Sequence, residues 1–269
     1  MKMVLSRKGH AYFEAKASQS TFADGAVDRG DGFDEPLSRF EYNVRDVVGP
    51  TCGFLVTCPF KREKSATVEA QKIIEKVLER GSFTYQCVKV HTLGNCLLRL
   101  KGKSGGGKSD GLDAPLLLEK ILDKLASSEP APKFCQRFFP VQALCTYGDS
   151  EIKAAFEGIV SGTNLDSEAG LTFAVAYKAH KVAGISGDPE HKKVDVRSVL
   201  ASTFQERFKN ATVDLRAPKI VILCTSLGAV DRKTILCALS ICSDRLVEVR
   251  SKGIFPRVLQ KARPSPRKS

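Results

Sequence analysis

The chain has 269 residues, with 42 Lys and Arg against 30 Asp and Glu, and its 42% hydrophobic content is enough for a packed core of one or two domains. No apolar run approaches the roughly 20 residues that a membrane-spanning helix needs, and the first residues return to charge before a secretory signal could form. These features predict a basic globular protein that lacks a membrane span and stays inside the cell.

The first half of the chain predicts an arm followed by a small domain. Residues 1–47 are rich in Gly, Asp, Ser and Arg without apolar periodicity, which predicts a disordered arm. Residues 48–127 then alternate between strand and helix patterns, which predicts a compact α+β domain. In chain order the patterns predict a strand over 53–58, then a helix whose apolar positions run over 66–78 and whose stop signal is Gly81. Strands over 88–90 and 95–100 and a helix opened by Pro115 follow.

The second half predicts another folded unit. Pro130 and Pro132 cannot continue a helix and therefore predict a linker before it. Strands and helices alternate over 133–250, which predicts an α/β unit. In chain order we expect an extended segment over 134–147, a helix capped by Asp149 or Ser150 and ending near Gly162, an alternating half-buried strand over 171–177, a helix beginning at Asp195, and apolar strands over 219–227 and 234–241.

The positive charge is concentrated at the end of the chain. The last twenty residues hold seven basic and no acidic side chains, interrupted by Pro256, Pro264 and Pro266. We therefore expect a basic tail over 251–269, disordered beyond about residue 260, that attracts polyanions without reading their sequence. A localisation signal or a solubilising end is the alternative interpretation.

The cysteines and histidines indicate packing rather than chemistry. None of the nine cysteines forms a C-x-x-C pair and most lie in apolar runs, which predicts small buried side chains. The four histidines are far apart and none accompanies a cysteine pair at zinc-finger spacing. No metal, no cofactor and no catalytic residue is expected.

A glycine-rich segment matches a nucleotide-binding motif. Residues 102–109 fit G-x-x-x-x-G-K-[ST] and follow a predicted strand. The motif holds phosphate only where its last residues open a helix, but Gly111 and Pro115 delay the next helix. No apolar strand ends in an Asp that could hold magnesium. A flexible loop is favoured, and a nucleotide-dependent RNA-modifying enzyme that uses a phosphate loop at 102–109 is the alternative function.

Several blocks together resemble a known family. They are GFLVTC at 53–58 followed by KREK at 61–64, QRFFPV at 136–141, TFAVAYK at 172–178, and VDLRAP at 213–218 leading into an apolar strand. Their order and spacing across about 48–250 are similar to those of the THUMP-domain tRNA acetylation adaptors. The resemblance implies an α+β protein with an N-terminal ferredoxin-like domain over 48–127 and a THUMP domain over 133–250.

The same resemblance implies a function. Members of that family bind tRNA by its shape, are not enzymes, and present serine and leucine tRNAs to a separate RNA cytidine acetyltransferase. The expected partners are therefore tRNA and that acetyltransferase, with no membrane and no small-molecule substrate. The expected location is the nucleus or nucleolus, with the cytoplasm as the alternative. The glycine-rich segment 102–111 and the basic tail depart from the family pattern.

RNA duplexes are bound mainly through phosphates and 2′-hydroxyls, which requires spaced cations on a rigid scaffold. The candidate RNA-binding residues are Lys178, Lys181, Arg137, Arg216 and Lys219. Each could instead be a solvated charge at a strand end, and Arg137 could pair with an acid such as Asp214. We expect Asp214 itself to close a turn onto its own backbone.

Two further function classes are disfavoured. The aromatic content of 7% without Trp argues against stacking of successive bases along a single strand. A cysteine-dependent tRNA sulfurtransferase would need a pyrophosphatase domain after residue 250 and a thiol with a lowered pKa.

Overall fold

The computed structural model describes residues 47–78, 83–102, 112–127, 131–163, 165, 170–180, 194–229, 234–251 and 253–259. The predicted arm up to residue 46, most of the glycine-rich segment (103–111), Lys181 and the tail beyond 259 lie outside these residues. None of the helices in the described ranges is long and apolar enough to cross a bilayer.

Within these ranges the chain forms ten strands and four α-helices. The strands are β1 (Gly49–Thr57), β2 (Phe83–Val88), β3 (Asn95–Gly102), β4 (Arg137–Thr146), β5 (Thr172–Ala179), β6 (Thr212–Val213), β7 (Ile220–Gly228), β8 (Ile235–Ser243), β9 (Val247–Arg250) and β10 (Gly253–Pro256). The helices are α1 (Glu63–Glu75), α2 (Ala114–Ser127), α3 (Asp149–Gly162) and α4 (Val196–Arg207).

Eight strands form one mixed sheet in the order β2-β3-β1-β4-β8-β7-β5-β6, which makes this an α+β protein. All pairs are antiparallel except β5 with β6 and β5 with β7. β9 and β10 form a separate hairpin. Because β1 pairs with β4, the sheet runs without interruption from the predicted first unit into the predicted second one.

The sheet separates two hydrophobic cores. Successive side chains of a strand point to opposite faces, so β7 contributes Val221 and Leu223 to one core and Ile222 and Cys224 to the other. The first core also holds the apolar faces of α1 and α2, and the second holds those of α3 and α4. Helical spacing of Ala66, Ala70, Ile73 and Ile74 gives α1 its buried stripe.

The sequence patterns located most elements, with errors at ends and edges. β2 lies at 83–88 rather than 88–90, because an edge strand with alternating polar residues has no continuous apolar run. α1 ends at Glu75, before the predicted stop at Gly81. α4 begins as predicted, since the Asp195 carboxylate accepts the Ser198 backbone N–H.

Two local expectations in the second half were wrong. α3 begins at Asp149 after Gly148, and no side chain caps it; the Ser150 hydroxyl donates to the Glu151 carboxylate instead. β5 does not alternate between buried and exposed positions, because Phe173 and Ala174 are both fully buried. A strand inside a sheet covered on both faces has no solvent side to mark in the sequence.

Part of the predicted tail is folded. Gly253–Pro256 pairs with Val247–Arg250. Val258 then forms a bridge to Arg137, and the Leu259 N–H donates to the Gln136 carbonyl at 2.8 Å. This segment covers the edge of β4 at the start of that strand.

All nine cysteines are buried and free, which confirms the packing interpretation. Burial raises the pKa of Cys52 and of Cys96 to about 12. Burial, together with the nearby Glu63, raises the pKa of Cys58 to about 11. A nucleophilic thiol needs the opposite shift, so none of these three is an activated cysteine.

We expect Gly53→Ala to destabilise the protein by about 2 kcal/mol, because the added methyl overpacks a closed strand interface. A Cβ at Gly53 of β1 would lie 2.4 Å from the Leu98 carbonyl oxygen of β3. Gly158→Ala is the matched control, since it lies exposed inside α3 with nothing near its would-be Cβ and should stabilise by about 0.5–1 kcal/mol. Urea unfolding of both variants measures the difference, and equal effects would contradict the close approach of β1 and β3.

Candidate nucleic-acid interface

A cleft lies beside the first residues of β4, which do not pair with β8. The two strands pair only over Ala143–Thr146 of β4. At the next position the Gln142 side chain replaces the backbone hydrogen bonds between the two strands. Its amide oxygen accepts the Ile241 N–H at 2.8 Å and the Ser240 hydroxyl at 3.1 Å. The first residues of β4 therefore leave β8, and a cleft of about 880 Å³ lies beside them.

The cleft is bounded by three parts of the fold. Its walls are the ends of β1, β3 and β4 at Thr57, Asn95 and Arg137, the middle of β5 and β7, and the β9–β10 hairpin. The loop before β3 is tied to the end of β1, because the Cys58 N–H donates to the Gly94 carbonyl at 2.8 Å and the Gly94 N–H to Glu63 at 2.9 Å. Gly94 has a φ of +69° and leaves no room for a Cβ, so this connection requires glycine.

The charge of the cleft is of one sign. Among the described residues it is lined by Arg137, Lys178, Arg197 and Arg250, and by no Asp or Glu. Arg250 is paired with Glu248, whose other carboxylate oxygen accepts the Val258 N–H. A concave surface whose charged lining residues are all cationic attracts a polyanion.

Arg137 and Lys178 are close enough to affect each other. Loss of hydration and the neighbouring Arg137 both lower the pKa of the Lys178 ammonium. Burial and Lys178 lower the pKa of His180 to about 4, so that imidazole is neutral at physiological pH. Two neighbouring cations can bind one anion together, and Arg137 also lowers the pKa of the nearby Glu248 carboxylate.

Three buried polar atoms lie next to one another in the cleft wall. The Thr57 Oγ1, the Asn95 Oδ1 and the Arg137 Nε are the buried side-chain polar atoms of the described residues that have no hydrogen-bond partner. Thr57 of β1 stands opposite Asn95 of β3 on one side and Arg137 of β4 on the other. Side chains directly opposite in antiparallel strands are about 5 Å apart, so these three groups can reach one ligand.

The predicted site residues are only partly brought together. Lys178 and Arg137 line the cleft. Arg216 is exposed in the turn after Asp214 but outside the cleft, although its neighbour Leu215 lines it. Lys219 is exposed just before β7, away from the cleft-lining part of that strand. Lys181 lies outside the described residues.

The structure resolves the alternative for Arg137. The Asp214 carboxylate accepts the backbone N–H of Arg216 at 2.8 Å and of Ala217 at 3.1 Å, and these bonds lower its pKa. The turn predicted at Asp214 is therefore confirmed. Within the described part of the chain Arg137 forms no ion pair with that carboxylate.

Sequence reasoning missed Arg197, Arg250, Thr57 and Asn95. The position of Arg197 could have indicated a functional role. A cation in the first turn of a helix is disfavoured by the helix dipole, so its presence there suggests a role other than helix stability. Arg250 was assigned to the basic end of the chain. No sequence feature indicated Thr57 or Asn95, since their side-chain oxygens are unpaired only because of where β1, β3 and β4 begin or end.

No protein-family model matches the chain, and no curated protein does. Three solved structures are similar in fold: a 4-thiouridine synthetase in complex with RNA and ATP (17% identity, TM-score 0.41), PH1313 from Pyrococcus horikoshii (12%, 0.41) and TrmN from Thermus thermophilus (11%, 0.39). The similarity covers 72%, 71% and 71% of this chain and 42%, 55% and 45% of theirs. The chain thus spans about half the length of these proteins.

Proposed function

We propose that this protein is a tRNA-binding adaptor that presents tRNA to an RNA cytidine acetyltransferase. The observation that carries RNA binding is the cleft lined by four Lys and Arg side chains and no carboxylate among the described residues. Phosphate neutralisation supplies most of the affinity of a shape-reading RNA-binding protein, and such a surface provides it. The serine and leucine tRNA substrates and the acetyltransferase partner rest on the family resemblance of the sequence.

The domain assignment belongs to the same proposal. β1-α1-β2-β3-α2-β4 has the chain order of a ferredoxin-like unit, and its strands pair antiparallel as β2-β3-β1-β4. Its fourth strand, Arg137–Thr146, lies beyond the predicted boundary at residue 127. We assign the remaining elements, α3 to β8, to a THUMP domain that shares β4 with the first unit.

A reconstituted reaction tests the adaptor function. We expect the purified protein to bind serine and leucine tRNAs and to increase acetylcytidine formation by an RNA cytidine acetyltransferase, while producing none when that enzyme is omitted. Mass spectrometry of digested tRNA measures the product. Tight tRNA binding without any stimulation would contradict the adaptor function and leave RNA binding in place; no tRNA binding would contradict both.

ATP binding distinguishes the proposed adaptor from the alternative, a nucleotide-dependent enzyme. Residues 103–109 lie outside the described ranges, and α2 begins at Ala114, five positions after Ser109. An adaptor should give no ATP signal in calorimetry, with or without Lys108→Ala. ATP binding that Lys108→Ala abolishes would favour the enzyme.

A further inference from the structure

The rim of the cleft carries an unusual set of side chains for a cationic surface. Leu93, Leu215 and Phe60 line the cleft and are 74%, 64% and 58% exposed. Phe60 follows the end of β1 by three residues, and Leu93 belongs to the loop that Gly94 ties to that end. An apolar rim above a floor that includes unpaired polar groups suits a ligand that has a flat apolar face and a polar edge.

The turn that carries Phe60 has an uncommon backbone conformation. Lys61 has a φ of +61°, the only positive value at a non-glycine position of the described residues. An L-residue pays roughly 1–2 kcal/mol for this left-handed conformation. The Lys61 ammonium lies 5.3 Å from the Phe60 ring centroid, so a cation accompanies the exposed ring.

The floor offers complementary hydrogen-bonding groups. The Asn95 Oδ1 accepts, the Arg137 Nε donates, and the Thr57 hydroxyl does either, and none of these atoms has a hydrogen-bond partner within the described ranges. An unpaired buried polar group is costly, and a ligand that pairs it removes that cost on binding. The edges of nucleobases combine donors and acceptors, and the attached phosphates suit Lys178 and Arg197.

We propose that the cleft receives one unpaired nucleotide of the bound RNA. Its base stacks on Phe60, its polar edge faces Asn95 and Thr57, and its phosphate lies among the cleft cations. This inference rests on the proposed RNA-binding function and adds to it a pocket for a single exposed base. A volume of about 880 Å³ is ample for a nucleotide. A segment of a protein partner seated on the same rim is the competing occupant.

Three RNAs test the pocket. The first is a blunt-ended hairpin, the second has the same stem with a short single-stranded extension, and the third has the same extension with abasic sites in place of its bases. Fluorescence anisotropy at fixed salt measures their affinities. We expect the second to bind roughly tenfold more tightly than the third, because only it can supply the stacked base.

Variants at Phe60 identify the surface that reads the base. Phe60→Ala and Phe60→Leu should remove the tenfold preference, whereas Phe60→Tyr should keep it, because stacking needs a ring and simple apolar contact does not. Leu116→Ala is the matched control, since Leu116 on α2 is also 58% exposed and lies outside the cleft. A preference that survives Phe60→Ala would overturn the proposal, and so would one that Phe60→Leu retains, the result expected for a protein-docking rim.

Thr57→Val provides a test that is independent of the rim. The Thr57 hydroxyl has no hydrogen-bond partner in the part of the chain that the structure describes, so the isosteric valine should leave the melting temperature unchanged or raise it. The preference for the intact extension should nevertheless fall about threefold. A lower melting temperature with an unchanged preference would show a structural hydroxyl and contradict the pocket.

The outcomes separate this inference from the function on which it rests. If the blunt hairpin binds with strong salt dependence but the intact and abasic extensions bind equally, the pocket is wrong and RNA binding stands. If no RNA binds at moderate salt, the RNA-binding function fails and the pocket fails with it.

Discussion

Reversing two cleft charges, in Lys178→Glu with Arg197→Glu, should lower the affinity for tRNA by roughly a hundredfold at physiological salt. Each cation that neutralises a phosphate releases counterions when RNA binds, so the slope of log K against log salt should become shallower by about 2. Both side chains are exposed, and a glutamate in the first turn of α4 is favoured by the helix dipole. The variant should therefore stay folded.

The control for this experiment keeps the net charge change and moves it away from the cleft. Lys72 on α1 and Lys120 on α2 are exposed and do not line the cleft. Lys72→Glu with Lys120→Glu should change the affinity only a few-fold, through the long-range field. Filter binding at several salt concentrations compares the pairs, and equal losses would show that the RNA does not favour the cleft.

Glu69→Ala should destabilise the fold by about 3 kcal/mol. The Glu69 carboxylate on α1 accepts three consecutive backbone N–H groups, from Lys133 at 2.6 Å and from Phe134 and Cys135 at 2.7 Å. The substitution leaves all three donors without their acceptor, and hydrogen bonds to an ionised carboxylate are stronger than neutral ones. These residues lead directly into β4, so the same contact positions Arg137 at the cleft.

The pH dependence of this contribution has a defined sign. Burial alone would raise the pKa of Glu69, but the backbone N–H bonds from Cys135, Lys133 and Phe134 outweigh it and lower the pKa below its usual 4.5. The stabilisation is therefore complete above that value and disappears as the pH falls through the lowered pKa. The difference in unfolding free energy between the parent and Glu69→Ala should be constant near neutral pH and shrink in acid.

Chemical denaturation at several pH values measures this difference. Glu75→Ala, on the same helix but with no carboxylate hydrogen bond to another described residue, is the control and should change stability by less than about 0.5 kcal/mol. Glu69→Gln keeps one acceptor oxygen and should fall between the parent and Glu69→Ala. If Glu69→Ala were as stable as Glu75→Ala, these backbone contacts would contribute nothing.

Local patterns located much of the architecture. Apolar periodicity in α1 and α2 and the apolar runs of β7 and β8 mark the elements that bury most surface, because burial requires those residues at that spacing. The patterns missed two kinds of strand. The edge strand β2 buries side chains on one face only, and the strands of the β9–β10 hairpin, within the basic end of the chain, are held by pairing with each other rather than by burial.

The residues of the candidate site also fall into two groups, those that the sequence could predict and those that only the fold reveals. Lys178 and Arg137 were predictable because a cation at a strand end is visible in the linear pattern. Arg197 and Arg250 join them only because the fold brings α4 and the β9–β10 hairpin to the same cleft.

By itself the sequence determined the helix and strand content, the positive charge and the burial of the nine cysteines, since these depend on neighbours along the chain. Only the tertiary structure decided which cations share one cleft, and only it left Thr57 Oγ1, Asn95 Oδ1 and Arg137 Nε without a hydrogen-bond partner among the described residues. The cations come from β4, β5, α4 and β9, and the unpaired atoms depend on the register of β1, β3 and β4 across about forty positions of the chain, so no local pattern contains either arrangement.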